Sequence, residues 1–294
     1  VANFVLVGAA GYIAPRHLKA IKETGNDLLA ILDPHDSVGI IDSYFPNSAY
    51  FCEFERFDRH ICKLIESGIN IDYVSICSPN YLHDAHIRFG LRIGSNVICE
   101  KPLVISPWNC DALNKMQEDS KGKVYSILQL RYHESIQKLK NSLKDKKYEI
   151  KLKYITSRGK WYGHSWKGDP LKSGGLIMNI GIHFFDMLIW LFGSVKDSTS
   201  VLHNDDHISG HLVLDRANIE WELSTDKKLL PIGCEKTYRC IDIDGEELEF
   251  SDGFTDLHTK SYREILDGNG YGILDAKPAI DLAYQIRQNC DIIR

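Results

Sequence analysis

Phe4-Val5-Leu6-Val7-Gly8-Ala9-Ala10-Gly11-Tyr12-Ile13-Ala14 is the stretch on which the fold turns. Four consecutive apolar residues read as a buried strand. Gly8 to Ile13 reads as a tight turn of mostly small residues. From Ala14 to Thr24 the spacing is helical, with Pro15 tolerated in a first turn. Small residues in a strand-turn-helix unit let the backbone come close to a pyrophosphate. The helix N-terminus behind the turn supplies N–H groups and positive dipole for the phosphate charge.

The same grammar continues outward. Leu28–Leu32, Tyr73–Cys77 and Asn96–Cys99 are apolar runs separated by helical patterns, and Val124–Leu130 is expected to add a fifth strand. Continuous hydrophobic strands of this kind imply a parallel sheet covered on both faces, which binds ligands at the carboxyl ends of its strands. Those ends carry Gly8–Ile13, Asp33-Pro34, Ser78-Pro79-Asn80 and Glu100-Lys101-Pro102. Asp33, about 20 residues beyond the turn, is placed to accept the adenosine ribose hydroxyls and repel a 2′-phosphate, which favours NAD over NADP. A helix is expected from about His133 to Leu143. Beyond it Tyr148–Tyr154 and Ile219–Leu223 alternate apolar and polar residues, as antiparallel strands with one wet face do. Asp244-Gly245 signals a hairpin, and Ala276–Ile293 has helical periodicity. The expected fold is α/β: an N-terminal Rossmann dinucleotide-binding domain over residues 1–122, then a C-terminal α+β domain with a largely antiparallel open sheet over residues 123–294.

Two domains also suit a chain of 294 residues that is 44% apolar and 26% charged. A formal charge of −5 and the lack of a basic stripe argue against nucleic acid or a membrane surface as partner. The eight cysteines form no CxxC pair and read as reduced core thiols of a cytoplasmic protein. No secretory leader is expected, and no apolar run is read as reaching the roughly 20 residues of a membrane helix, Phe184–Phe192 being the longest candidate. His83 and His86 stand three apart but have no cysteine or carboxylate cluster in a zinc-type spacing, so no metal site is expected. There is no GxSxG elbow for a serine hydrolase.

Gly174-Gly175 leads into an apolar helix on which Asn179, His183 and Asp186, four and three residues apart, share one face. Such a histidine suits either general acid/base work or a hydrogen-bonded core. Together with Glu100-Lys101-Pro102, this pattern resembles the Gfo/Idh/MocA family of nicotinamide-dependent sugar oxidoreductases, and the likeness spans nearly the whole chain. The resemblance implies that Lys101 and His183 are catalytic and that Ser78, Pro79, Asn80 and His83 form a cofactor-contacting loop. With the turn and the strand ends, the expected cofactor set is Gly8, Ala10, Gly11, Tyr12, Ile13, Asp33, Ser78, Pro79, Asn80, His83, Glu100 and Lys101. Two departures stand out. Gly8 and Gly11 are separated by two residues where the family usually has GxG, and Asn179 stands where aspartate is common. An amide cannot act as a base, which leaves Lys101 and His183 for proton transfer.

Within the family, Gly8–His17, Asp36–Pro46 and Phe254–His258 resemble the UDP-N-acetyl-2-amino-2-deoxy-D-glucuronate 3-dehydrogenases of surface-polysaccharide (O-antigen) sugar biosynthesis. That resemblance implies oxidation of the sugar 3-hydroxyl by NAD, a 2-oxo acid as a possible hydride acceptor, and a homotetramer or homodimer. Arg158 to Trp166-Lys167 mixes cations with aromatics, a loop suited either to a nucleotide-sugar's phosphates and carboxylate or to plain solvation. The expected substrate set is Lys101, Arg131, Arg158, Tyr162, Trp166, Lys167, Asn179 and His183. Two other readings share the fold. One is a glycoside hydrolase that retains NAD and oxidises C3 transiently; the other is a non-catalytic NAD-binding regulator, for which the intact Lys101 and His183 give no support.

Overall fold

The apolar runs of the first half assemble into a six-stranded parallel sheet in the computed structural model, which describes residues 1–250 and 253–291. In chain order the elements are β1 (Asn3–Val7), α1 (Ala14–Glu23), β2 (Asp27–Leu32), β3 (Ala49–Phe51), α2 (Phe54–Glu66), β4 (Tyr73–Ile76), α3 (His83–Arg92), β5 (Asn96–Cys99), α4 (Pro107–Glu118) and β6 (Val124–Ser126). Spatially the strands run β3-β2-β1-β4-β5-β6, all pairs parallel. The order reverses between β1 and β4, which makes their carboxyl ends the topological switch point where such sheets bind ligands. Phe4, Val5 and Leu6 are fully buried, as a strand covered on both faces must be.

The second half contains α5 (Glu134–Ser142), β7 (Tyr148–Thr156), α6 (Trp161–His164), α7 (Pro170–Ser173), α8 (Ile182–Phe192), β8 (Val195–His203), β9 (His207–Leu214), β10 (Ala217–Ser224), β11 (Thr237–Ile243) and β12 (Glu246–Glu249). The chain then forms α9 (Leu257–Leu266) and α10 (Ile273–Asp291). The second sheet runs β12-β11-β7-β10-β9-β8. It is largely antiparallel, as the alternation predicts, but β7 and β10 pair in parallel. Tyr148, Ile150 and Leu152 of β7 are buried while Glu149 and Lys151 are exposed, so one face is wet. Asp244 and Gly245 both have positive φ (54° and 89°), the conformation a two-residue hairpin turn demands.

Several expectations are corrected. The strand expected over 124–130 ends at Ser126, and Gln129–Tyr132 is a 3-10 turn. Among the described residues, one unit comprises 1–104, 108–127 and 256–275 and another 105–107, 128–250, 253–255 and 276–291, rather than a division at 122/123. The reason is packing. β6 pairs with β5, and Tyr262 and Ile265 of the return segment lie in one core with Phe4, Leu6 and Leu18. α10 covers the expected C-terminal helix to Asp291, carrying Pro278 inside it; residues 292 and 293 lie outside the described residues. Cys77, Cys99, Cys110 and Cys240 are buried, but Cys52 and Cys62 are exposed and are not core thiols. Pro170–Phe192 is a helical run long and apolar enough to cross a membrane, contrary to the reading of the apolar runs, and most of it is buried within the protein.

Candidate active site

In the first unit the carboxyl end of β1 passes directly under that of β4. Gly8 has φ +98°, and a Cβ built on it would lie 2.5 Å from the Ser78 backbone nitrogen, so only glycine fits. The turn closes through Gly11 N–H to Gly8 O (3.3 Å) and Ala14 N–H to Gly11 O (3.1 Å). No side chain caps α1, but its first turn has no amide to spare: the Ala14 N–H goes to Gly11, Pro15 has none, and the Arg16 N–H donates to Ile13 O at 3.0 Å, so only the helix dipole favours an anion there. Ala10 is held from behind, its N–H donating to Asp33 Oδ2 at 2.8 Å. The other oxygen, Oδ1, accepts the His35 N–H at 2.9 Å. Asp33 thus ties the turn to the end of β2 from a buried position and keeps a second lone pair on each oxygen for a ribose hydroxyl. Tyr12 is exposed and Ile13 half-buried against the core of this unit. A turn that admits only a bare backbone and a carboxylate behind it fit a dinucleotide, for which Gly8–Ile13 would hold the pyrophosphate and Asp33 the ribose.

The loop after β4 is equally built. Ser78 Oγ meets His86 Nδ1 at 2.9 Å, and Asn80 is buried at the start of a 3-10 turn that feeds α3 after the half-buried Pro79. His83, fully buried, faces Pro102 O with Nδ1 and Ser78 O with Nε2, both at 2.8 Å, and so ties this loop to the one after β5. Burial pulls its pKa down, and the two carbonyls only partly oppose that. After β5, Glu100 is buried and Lys101 half-buried ahead of a cis bond to Pro102. Glu100 Oε1 accepts from His17 Nε2 (2.9 Å) and His258 Nε2 (2.7 Å), and Oε2 from the Lys101 N–H (3.2 Å). Burial pushes the Glu100 carboxyl up, but the His17 and His258 hydrogen bonds outweigh it and hold the group well below the usual carboxylate range. No role for His17 or His258 follows from sequence reasoning. They lie 83 and 158 residues from Glu100, and no local spacing links them.

In the second unit Asn179 lies in a π-helical turn, Ile177–Gly181, and α8 begins only at Ile182. The single helix face expected for Asn179, His183 and Asp186 therefore starts with a wider turn, a feature common at functional sites. Asn179 Nδ2 donates to Tyr162 Oη at 2.6 Å, and burial pushes the Tyr162 phenol up. Asp186 takes a bidentate pair from Arg131, Nη2 to Oδ1 at 2.6 Å and Nε to Oδ2 at 3.1 Å, both side chains buried. Arg131, expected at the substrate, is thus engaged in a buried ion pair. His183 is half-buried on α8. The exposed Arg158 lies over the Tyr162 ring (5.9 Å) and the Lys167 ammonium over the Trp166 ring (4.0 Å). A cleft of about 860 Å³ has Arg158, Tyr162 and Lys167 in its walls; Trp166, Asn179 and His183 are not among them.

Comparison with known proteins bears on this arrangement. Residues 2–128 match the oxidoreductase family's NAD-binding Rossmann fold and residues 146–230 its C-terminal alpha/beta domain. The chain is 47% identical to the WlbA (WbpB) dehydrogenase of Thermus thermophilus, solved in complex with NAD and alpha-ketoglutarate, with a TM-score of 0.94 over 97% of this chain and 94% of that one. The same dehydrogenase has been solved with NAD and UDP-GlcNAcA. The WlbA dehydrogenase of Bordetella pertussis, 18% identical with a TM-score of 0.82 over 99% and 95% of the two chains, shares the fold. Inositol 2-dehydrogenase of Rhizobium meliloti is 29% identical over 210 residues, 68% of this chain but 59% of that protein, so the chain spans less than two thirds of this curated relative. Both halves match one family, and a relative of nearly the same extent is 47% identical: the chain belongs to the Gfo/Idh/MocA oxidoreductases.

Proposed function

We propose that the protein is an NAD-dependent dehydrogenase that oxidises the 3-hydroxyl of UDP-N-acetyl-2-amino-2-deoxy-D-glucuronate to the 3-keto sugar, in the biosynthesis of a surface polysaccharide such as O-antigen. The observation that carries this reading is the 47% identity, over nearly the full extent of both chains, to a dehydrogenase whose solved complexes hold NAD with alpha-ketoglutarate and NAD with UDP-GlcNAcA. Lys101 and His183 both stand at the positions the family resemblance assigns to catalysis.

Bound NAD would supply the acceptor for a C3 hydrogen leaving as hydride. Gly8–Ile13, Asp33 and the Ser78–His83 loop would hold that cofactor. Lys101 or His183 takes the hydroxyl proton, and a cation beside the hydroxyl lowers its effective pKa. Rate comes from aligning the C–H bond as much as from acid/base chemistry. Arg158, Tyr162 and Lys167 offer guanidinium, phenol and ammonium groups for the sugar nucleotide's phosphates and carboxylate. A 2-oxo acid would serve as second substrate and leave as the 2-hydroxy acid.

The test is absorbance at the reduced-nicotinamide band after mixing the protein and NAD with this UDP-sugar, with and without 2-oxoglutarate. A rise in NADH, or 2-hydroxyglutarate formed in step with 3-keto sugar, is expected. Free sugar released without either would replace this reading with the NAD-retaining hydrolase, and no reaction would remove the substrate assignment.

A further inference from the structure

Lys101 sits between two buried side chains, one bonded to its own backbone and the other to that of the next residue. On one side its N–H donates to Glu100 Oε2 (3.2 Å); on the other the carbonyl of Pro102 meets His83 Nδ1 (2.8 Å). Glu100 is itself clamped. Its Oε1 accepts from His17 on α1 and from His258 on α9, two elements far apart in sequence. Behind His17 the chain of hydrogen bonds continues to Tyr262 Oη (2.8 Å) and Ser75 Oγ (2.5 Å). One consistent direction runs through all of it: Ser75 donates to Tyr262, Tyr262 to His17, and both imidazoles and the Lys101 amide to Glu100. His17, Ser75, His258 and Tyr262 are each at most 1% exposed.

Stability alone does not account for this cluster. A buried carboxylate needs every donor it has, and apolar side chains of similar volume often serve a core as well or better. His258 carries a further cost, because its Nδ1 is buried without a hydrogen-bond partner among the described residues. The ring is retained where only its Nε2–H is used. The separations of 2.7 and 2.9 Å from Glu100 Oε1 are those of N–H···O bonds.

We propose that His17 and His258 are positioning residues: by clamping Glu100 they set the backbone, and so the ammonium group, of Lys101 for the reaction. This rests on the dehydrogenase reading for its activity arm. Glu100 is faced also by Cys77 and Cys99 from the sheet, and His258 by Arg16 from α1, while His83 from α3 faces both Glu100 and Lys101.

The clamp is tested with His258→Gln, which keeps a donor at the Nε2 position, against His258→Leu and His17→Leu, which do not. In the NAD-loaded protein, reductive ¹³C-methylation gives a Lys101 signal, identified by its loss in Lys101→Arg. That signal is expected to shift in both leucine variants and to return in His258→Gln. With the UDP-sugar, kcat is expected to fall about a hundredfold in the leucine variants at unchanged NAD affinity, and to recover within about tenfold in His258→Gln. A Lys101 signal and a kcat pH profile unmoved in folded His258→Leu would overturn the proposal, as would a stoichiometric metal ion in the purified protein by elemental analysis. If the wild type does not turn over this sugar, the substrate reading fails and the methyl signal alone decides the clamp.

Discussion

Gly8 and Ser78 are in backbone contact: the Gly8 Cα–H points at the Cys77–Ser78 peptide, so that a Cβ would stand 2.5 Å from the Ser78 nitrogen and 2.6 Å from the Cys77 carbonyl carbon. Neither atom can yield without moving β4. Gly8→Ala adds that clash to the strain of a φ of +98° and is expected to cost about 3 kcal/mol of stability. Denaturant melts read the loss. NAD affinity, followed by fluorescence quenching, should fall with it, and a variant that melts and binds like wild type would refute the close-approach account.

Asp33 uses one carboxylate oxygen for Ala10 N–H and the other for His35 N–H. In Asp33→Asn one of these amides faces an NH₂ group instead of an acceptor. The buried donor left without a partner costs about 1–3 kcal/mol. Because that donor is either the middle of the phosphate turn or the residue beyond β2, NAD should bind about tenfold more weakly. Titration of the folded variant with NAD checks this.

Lys101→Ala is expected to abolish turnover of the UDP-sugar while NAD still binds. Near-normal turnover in that variant would remove Lys101 from proton transfer and leave His183.

The parallel sheet was legible because strands buried on both faces must be apolar throughout, as Phe4–Val7 and Asn96–Cys99 are. β3 was not, since three half-buried residues at a sheet edge leave no pattern to read. Alternation along Tyr148–Tyr154 reports one wet face but is silent on strand direction, so the parallel pairing of β7 with β10 came only with the structure. Strand ends likewise pointed to Asp33, Ser78 and Glu100, because the topology sends ligands there. What holds Glu100 lies beyond local reading: His258 arrives on a segment that returns to the first unit after more than a hundred residues in the second. The π-turn before α8 is hidden for another reason, since the mostly aliphatic stretch Ile177–Ile182, interrupted by Asn179 and Gly181, is compatible with either helical pitch.

Arg131 and Asp186 form a two-point ion pair with both side chains buried. Arg131→Leu strands the carboxylate and should cost about 3–5 kcal/mol, whereas replacing both partners with leucine should recover much of that loss. Denaturant melts of the two single variants and the double variant measure the coupling. Equal stability of Arg131→Leu and wild type would mean that the pair carries no structural weight.

His86 is expected to make the protein sensitive to acid. Its ring lies nearly parallel to Phe54 (centroids 5.9 Å apart, 21°), and its Nδ1 meets Ser78 Oγ. Burial, with repulsion from His83, pulls its pKa from 6.5 down to about 4. Between those values the unfolded chain binds a proton that the folded protein refuses. The contribution of neutral His86 is therefore complete above pH 6.5 and is lost as the pH falls toward about 4. A shift of this size corresponds to about 3 kcal/mol. His86→Gln removes the titration but keeps a polar partner for Ser78. Urea melts across that window should show wild type losing roughly 3 kcal/mol more than the variant. His83 and His258 are also pulled down by burial and are present in both proteins, so the difference reports His86 together with its repulsion from His83. Parallel losses in the two would place the acid sensitivity elsewhere.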